Sequence, residues 1–158
     1  MTDMPESESA VTPHYGGDGR SGTYQASGLP ESARVAWVAA TDGEVIASPV
    51  LAGDTLLVAD SAARLYAFDA ATGALRRRHT YSDDWVEEEF EPGDFVAQLP
   101  IAVWNDMVFV GVGGLDHEFD DCLHVHDLKT GQVLRTIEGP WHPTVIGDLL
   151  LLSGDGGM

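Results

Sequence analysis

One arrangement of short apolar runs and Gly/Asp turns occurs more than once along this chain, and it restricts the fold more than any other feature. In residues 48–77, two apolar runs flank Gly53-Asp54, and a third run ends in the turn Asp-Ala-Ala-Thr-Gly at 69–73. Runs this short, bounded by Gly and Asp, are typical of β-strands joined by tight turns rather than of helices. The stretch therefore predicts antiparallel hairpins.

Both parts of this arrangement return later in the sequence. The run, turn and run of 49–58 are matched at 100–110 and again at 143–152, and the run and turn of 65–73 are matched at 123–131. The second copy has an additional residue before its second run, which we place in the turn. A unit of this kind cannot bury both faces alone and must stack on its neighbours, as β-propeller blades do. We predict an all-β chain of antiparallel, four-stranded blades, about two and a half in number, with essentially no helix.

The Asp-x-x-Thr-Gly turns contain residue types that stabilise a tight turn. We expect the carboxylate of Asp69 and the hydroxyl of Thr72 to accept hydrogen bonds from nearby backbone N–H groups. We expect Gly73 to take the left-handed conformation, which a β-carbon would disfavour. The turn at 127–131 has the same three residue types and predicts the same geometry.

The Ser-Pro pair, the Gly-Asp turn and the stretch Leu-Tyr-Ala-Phe-Asp-Ala-Ala-Thr-Gly at 65–73 resemble the blade repeat of the quinoprotein (PQQ-repeat) superfamily of β-propellers. The glycine-rich stretch 14–22 and Trp37 resemble the opening segment of those propellers. The resemblance implies that Trp37 is the docking tryptophan at the end of a blade's outer strand. Arg77 and Arg135 stand where the family usually has tryptophan, which predicts weaker docking between blades.

The resemblance covers residues 14–158 and, with the composition, gives the expected domain organisation. The predicted parts are a disordered acidic N-terminus (1–13), an opening segment with a short strand at 34–39 (14–47), a blade (48–80), an acidic loop (81–94), a second blade (95–137) and the start of a next blade (138–158). A closed propeller of this family has about six to eight blades. The chain is therefore expected to be a partial propeller, as a fragment of a larger one or an incomplete reading frame.

The charge balance excludes several classes of partner. The chain has 26 acidic against 8 basic residues, and Lys129 is its only lysine. A net charge of −18 disfavours nucleic acid and anionic membrane surfaces. It resembles the composition of proteins from salt-loving archaea and also favours cations or basic partners.

The sequence contains no signal for a membrane span or for secretion. No apolar run approaches the roughly 20 residues that a membrane span needs, and the N-terminus has no basic, apolar leader. The chain as written is expected in the cytoplasm, or outside it if the natural N-terminus lies further upstream. Cys122 is the only cysteine, so an intrachain disulfide is excluded.

A possible metal site lies on the strand predicted at 122–126. Cys122, His124 and His126 alternate along it and would point to one face, with four further donors just upstream, namely His117, Glu118, Asp120 and Asp121. The alternative is packing, because the two histidines occupy the repeat positions of Tyr66 and Phe68. We favour packing and assign no metal ligand. The carboxylates at 83–91 and 120–121 offer oxygen ligands for Ca²⁺, but they have no recognised ligand spacing and read as solvated loops.

No motif for catalysis is present. The chain has no Gly-x-Ser-x-Gly elbow, and no Lys-Ser/Thr ends the glycine-rich stretch 14–22. We therefore predict no catalytic residue and no cofactor. The function predicted is a non-enzymatic scaffold or protein-interaction module, similar to cofactor-free members of the superfamily, with a protein partner or self-association through open blade edges.

Two alternatives to that function remain. Some members of the superfamily bind pyrroloquinoline quinone with Ca²⁺, so the resemblance also allows a remnant of a quinone-dependent dehydrogenase. This sequence lacks the vicinal cysteine pair of the family's alcohol dehydrogenases. A metal-binding module built on Cys122, His124 and His126 is the minor alternative.

Overall fold

The computed structural model describes residues 34–45, 47–81, 100–112, 122–139, 142–146 and 148–154. These residues form β-strands and no helix, which confirms the predicted all-β fold. None of them forms a helix long and apolar enough to cross a membrane. Several predictions fall outside the described residues: disorder at 1–13, the glycine-rich stretch 14–22, the acidic loop beyond Tyr81 and the donors at 117–121.

The two complete blades are four-stranded antiparallel sheets in which each strand pairs with the next along the chain. The first blade consists of β1 (Val50–Ala52), β2 (Thr55–Asp60), β3 (Arg64–Asp69) and β4 (Leu75–Thr80). The second consists of β5 (Ile101–Trp104), β6 (Met107–Val112), β7 (Cys122–Asp127) and β8 (Val133–Glu138). The third blade is represented by two antiparallel strands, β9 (His142–Ile146) and β10 (Leu149–Ser153).

Strand pairing follows the same register in both complete blades. Leu57 pairs with Ala67 in the first blade, and Phe109 pairs with Val125 in the second. The pairing of the third and fourth strands shifts at the same place in each, directly after Ala67 and directly after Val125. The repeat seen in the sequence is therefore a structural repeat, and positions correspond one to one between the blades.

The turn between β5 and β6 differs from the prediction. Trp104 pairs with Met107, so the turn has only the two residues Asn105 and Asp106, which have positive φ of 49° and 60°. Two successive residues of this conformation form the turn that best matches the twist of a hairpin. The prediction that the additional residue of the second copy lies in the turn is therefore wrong. It lies within β5, which has four paired residues where β1 has three.

The short strand predicted at 34–39 is not formed. Residues 34–40 have no strand assignment, and none of the described strands pairs with them. A strand is held by a ladder of hydrogen bonds to a neighbour, and an apolar sequence alone does not provide one. One isolated bridge, between Val45 and Asp60, connects this part of the chain to the first blade.

The hydrophobic core lies between the sheets. Its largest cluster joins the facing surfaces of the two blades and includes Leu57 and Ala67 from the first blade and Val110 and Val112 from the second. Smaller clusters lie on the far face of the first blade and beneath the third. Removing apolar area from water at about 25 cal/mol per Å² stabilises this stacking. Each complete blade thus buries both of its faces.

Candidate interaction surface

The two Asp-x-x-Thr-Gly turns have the predicted hydrogen bonds. Asp69 Oδ1 accepts from the backbone N–H and the hydroxyl of Thr72, both at 2.8 Å. Asp127 Oδ1 accepts from the same two groups of Thr130, at 2.6 and 2.8 Å. The glycine that ends each turn is left-handed, with φ of +73° and +74°. The turns are therefore rigid, and each presents backbone carbonyls to the element in front of it.

Asp69 has a second role at the surface, where it pairs with Arg76. The Arg76 guanidinium lies 2.5 Å from Asp69 Oδ2 and 2.8 Å from Asp54 Oδ2. The hydrogen bond from Arg76, with those from Thr72, lowers the pKa of Asp69 to about 2. The carboxylate that caps the turn thus stays charged at every physiological pH.

Trp37 docks the segment before the first blade onto the turn of that blade. Its indole N–H donates to the Ala70 carbonyl at 3.0 Å, and its ring centroid lies 6.3 Å from that of Phe68. Gly73 makes room for the ring, because a β-carbon added there would lie 2.5 Å from an indole carbon. Trp37 therefore docks on the turn, as the family resemblance implied, but it does so from residues 34–40, which form no strand.

Arg77 makes the corresponding contact between the two blades. Its guanidinium donates to the carbonyls of Leu128 and Lys129 in the second turn, and Leu128 corresponds to Ala70 in the first. A β-carbon on Gly131 would lie 2.9 Å from the Arg77 side chain. Arg77 therefore makes a docking contact at a position where the family usually has tryptophan. Its guanidinium donates to two carbonyls, whereas the indole of Trp37 donates to one. That arginine weakens docking stays a prediction.

A buried carboxylate fixes the opening segment to the first blade. The Asp60 side chain is 0% exposed. Its Oδ2 accepts from the Gly43 N–H and lies 2.8 Å from Tyr66 Oη, while its Oδ1 accepts from the N–H groups of Ala62 and Arg64. Burial raises the pKa of the Tyr66 hydroxyl, which keeps it protonated as a donor. Four hydrogen bonds thus compensate for the desolvation of the carboxylate.

The interface between the two blades contains a polar cluster, the His–Tyr cluster, of His79, Tyr81, His124 and His126. Tyr81 and His126 are each 1% exposed, and Tyr81 Oη lies 2.7 Å from His126 Nε2. His126 Nδ1 lies 3.2 Å from the Gly131 carbonyl, which can only accept. Nδ1 therefore carries the proton of the neutral ring, and Nε2 accepts from Tyr81.

Both central groups of the His–Tyr cluster are neutral at pH 7. Burial lowers the pKa of His126 to about 4, and the nearby rings of His79 and His124 contribute to the shift. Burial raises the pKa of the Tyr81 hydroxyl well above its ordinary value. Tyr81 and His126 thus form a neutral hydrogen-bonded pair within the core.

The sequence-predicted candidates on β7 lie on one face, and this face packs against the first blade. The strand register gives His124 and His126 the positions of Tyr66 and Phe68, and both rings lie against Tyr81, which follows β4. Cys122 is buried, with its sulfur 3.3 Å from His124 Nε2. Sequence reasoning placed neither His79 nor Tyr81 beside these residues.

The expectation that the chain has no metal ligand and no cofactor stays a prediction. Within the described ranges, no group of three or more His, Cys, Asp or Glu side chains is placed to hold a metal ion. The upstream donors at 117–121 and the carboxylates at 83–91 lie outside the described residues.

The third blade presents an apolar face that no described residue covers. Leu150 and Leu152 of β10 pack against the second blade. Leu149 and Leu151 point to the other side and are 63% and 49% exposed, whereas Leu57, which corresponds to Leu151, is 2% exposed. A strand that is apolar on both faces is typical of one buried between two layers. We call Leu149, Leu151 and the outer edge of β10 the open face.

Comparison with known proteins supports the fold. No family model and no curated protein matches the sequence. BamB from Moraxella catarrhalis is 18% identical, with a TM-score of 0.57 over 77% of this chain and 34% of that one. A europium-containing methanol dehydrogenase is 17% identical, with a TM-score of 0.45 over 59% and 15%. The chain therefore spans about a third of the BamB structure. The likeness to BamB confirms the predicted fold of antiparallel, four-stranded β-propeller blades.

Proposed function

We propose that this chain is a non-enzymatic β-propeller module that binds a protein through the open face. The observation that supports this most strongly is the exposure of Leu149 and Leu151, 63% and 49%. The position of Leu151 is buried in both complete blades, and that of Leu149 is buried in the first and half-buried in the second. Contiguous exposed apolar side chains beside a free strand edge are typical of interaction sites.

The polar side chains of the interior support an interaction role over a catalytic one. Asp60 accepts hydrogen bonds from Gly43 of the opening segment and from three groups of the first blade. His126 is held between Tyr81 and the Gly131 carbonyl. These groups stabilise contacts between structural elements. Within the described part of the chain, the buried titratable groups are thus occupied by the fold itself.

The net charge of the chain favours basic partners and a high salt concentration. With a net charge of −18, the chain repels acidic surfaces and attracts basic ones. We also propose adaptation to high salt, because screening relieves the repulsion between so many carboxylates. Cooperative unfolding at molar salt that is lost in dilute buffer would support this adaptation, and equal stability in both would contradict it.

The open face can be tested through self-association, which an uncovered apolar edge promotes. Sedimentation velocity over a range of concentrations at fixed high salt should show concentration-dependent association of the wild-type chain. The double variant Leu149→Glu/Leu151→Glu should be monomeric. The matched control is Leu134→Glu, on β8, where the leucine is 54% exposed but outside the open face. A wild-type chain that is monomeric throughout, or association that the double variant leaves unchanged, would contradict the proposal.

A further inference from the structure

The outer strands of the two complete blades have a β-bulge at the same place, and the residue in the bulge differs between them. The pairing of β3 with β4 shifts after Ala67, and Arg76 is the residue that this shift leaves over. The pairing of β7 with β8 shifts after Val125, and there the residue is Leu134. A bulge re-aims the side chain that it contains. Arg76 and Leu134 therefore occupy the same position in successive blades.

In the first blade, two carboxylates from neighbouring turns bind the side chain of the bulge. Arg76 donates to both oxygens of Asp54 at 2.8 Å, the bidentate arrangement in which a guanidinium binds a carboxylate most strongly. It also donates to Asp69 Oδ2 at 2.5 Å and to Thr55 Oγ1 at 2.8 Å. This contact shows that the pair of turns can hold a guanidinium.

The second blade has the same two carboxylates at the same positions. Asp106 stands directly before β6, as Asp54 does before β2. Asp127 ends β7, as Asp69 ends β3. The Leu128 N–H donates to the Asp106 carbonyl at 2.8 Å, and the equivalent bond joins the two turns of the first blade at 2.9 Å. The second blade therefore has the pair of carboxylates without the arginine.

The described part of the chain pairs the two carboxylates of the second blade only weakly. Lys129 Nζ lies 3.4 Å from Asp106 Oδ2, and both side chains are mainly exposed, so this ion pair contributes little. Among the described arginine and lysine side chains, Lys129 alone pairs with either carboxylate. The hydrogen bonds that Asp127 Oδ1 accepts from Thr130 lower the pKa of Asp127, which keeps it charged at pH 7.

We propose that Asp106, Asp127 and Leu134 form a binding site for an arginine side chain of a basic partner. An arginine fits better than a lysine, because its planar fork can contact two carboxylates at once. Leu134 is 54% exposed, and an arginine stem can cover such an apolar surface while its guanidinium lies at the carboxylates. The net charge of −18 attracts a basic partner to this surface. The site is separate from the open face and goes beyond the function proposed for it.

The probe for this site is N-acetyl-L-arginine amide, which supplies one guanidinium with its stem. Amide NMR spectra of the full chain at fixed salt should show saturable shifts that are confined to residues 106–107 and 127–135. N-acetyl-L-lysine amide has the same charge and should bind more weakly, because one ammonium cannot bridge two carboxylates. Equal binding of both probes would mean that the surface responds to charge alone and would overturn the proposal.

The most informative variant is Leu134→Arg, which gives the second blade the arginine of the first. Its own guanidinium should lie at the two carboxylates and weaken binding of the arginine probe about tenfold or more. Leu134→Gln changes the same residue without supplying a guanidinium and should stay within about threefold of the wild type. Binding that Leu134→Arg leaves intact would overturn the proposal.

Two conservative variants test the carboxylates. Asp106→Asn and Asp127→Asn remove one charge each but suit the turns, because asparagine tolerates a left-handed backbone and its oxygen can still accept hydrogen bonds in the turn. Each should weaken binding of the arginine probe up to about fivefold, the loss of one exposed ion pair. Unchanged binding in both variants would show that the shifts arise elsewhere.

Arg20 is the only arginine or lysine outside the described residues, and its variant tests the source of the ligand. Arg20→Gln and the wild type should bind the arginine probe equally. Binding that appears only in Arg20→Gln would assign the site to this chain's own arginine and overturn the proposed partner, and no saturable binding to either would overturn the site itself. Leu149→Glu/Leu151→Glu should leave probe binding unchanged. A failure here therefore leaves the open face to its own self-association experiment.

Discussion

Trp37 and Arg77 dock on the same position of successive blades with different chemistry. Trp37 places a rigid indole over Gly73 and donates one hydrogen bond to the Ala70 carbonyl. Arg77 lays a flexible stem over Gly131 and donates to two carbonyls. The receiving turn is nearly identical in the two cases, so the turn fixes the geometry of docking, and side chains of unlike shape can satisfy it.

The two docking contacts should differ most in the unfolding free energy that is lost when the glycine of each turn is replaced by alanine. Alanine at either turn is strained by the left-handed backbone, at about 1 to 2 kcal/mol. Gly73→Ala also places its β-carbon against the rigid indole, and we expect a total loss of about 3 kcal/mol. In Gly131→Ala the flexible Arg77 can move aside, so the loss stays near the strain alone. Denaturant titrations at fixed salt measure both, and equal losses would show that the indole is not the obstacle.

The buried hydroxyls of Tyr81 and Tyr66 should also differ in how much they contribute to the free energy of unfolding. Tyr81→Phe leaves His126 Nε2 buried without a donor, which costs about 2 kcal/mol. Tyr66→Phe removes only one of several donors to Asp60, and we expect a loss of about 1 kcal/mol. The free energies of unfolding of the two variants give the ranking. A larger loss for Tyr66→Phe would mean that the carboxylate depends on that hydroxyl more than its other hydrogen bonds indicate.

Acid should weaken the contact between the blades through His126. Its pKa in the folded state is about 4, below the ordinary 6.5, so the unfolded chain binds the proton more tightly. The stability that depends on neutral His126 is therefore present above pH 6.5 and is lost as the pH falls towards 4. His126→Phe, which copies Phe68 of the first blade, should flatten the pH dependence of the unfolding midpoint in this window.

The control for the pH experiment is His142→Gln, on β9 and outside the His–Tyr cluster. The turn carboxylate Asp69 has its pKa lowered to about 2 and titrates below the window. A slope between pH 4 and 6.5 that His126→Phe leaves unchanged would assign the acid sensitivity to other groups.

The smallest effects are expected from conservative changes at the docking side chains. Arg77→Lys replaces the two-pronged guanidinium with a single ammonium, and Trp37→Phe removes the indole N–H but keeps a ring. Each should cost about 1 kcal/mol, the net value of a hydrogen bond. Arg34→Lys, at an exposed position, is the control. A loss of several kcal/mol from either docking variant would mean that packing dominates over hydrogen bonding.

The sequence alone predicts the features that repeat, but it does not predict the contacts between repeats. The strands, the turn chemistry and the packing of His124 and His126 follow from comparing one copy with another. The roles of Arg77 and Tyr81 depend on which residues face each other across the blade interface, and no single repeat contains that information. A usable signal was present, because Arg77 and Trp37 each stand one blade before the turn that they contact.

Residues 34–40 also show that the sequence of one segment does not reveal its contacts with other segments. Its composition suits a strand, but strand formation depends on a neighbour that the described residues do not supply. The open face of β10 is the corresponding case at the third blade, where the apolar pattern is present without its partner. In both places the apolar sequence of one segment predicts burial in a sheet, and a neighbouring strand or sheet is needed to provide that burial.

The most direct test of equivalent docking is the free energy of unfolding of Arg77→Trp, compared with Arg77→Ala in the same buffer. Gly131 has the left-handed conformation and the free space that Gly73 offers to Trp37, so an indole at position 77 should fit the second turn. We predict that Arg77→Ala loses about 2 kcal/mol and that Arg77→Trp stays within about 0.5 kcal/mol of the wild type. An Arg77→Trp chain as unstable as Arg77→Ala would contradict the account.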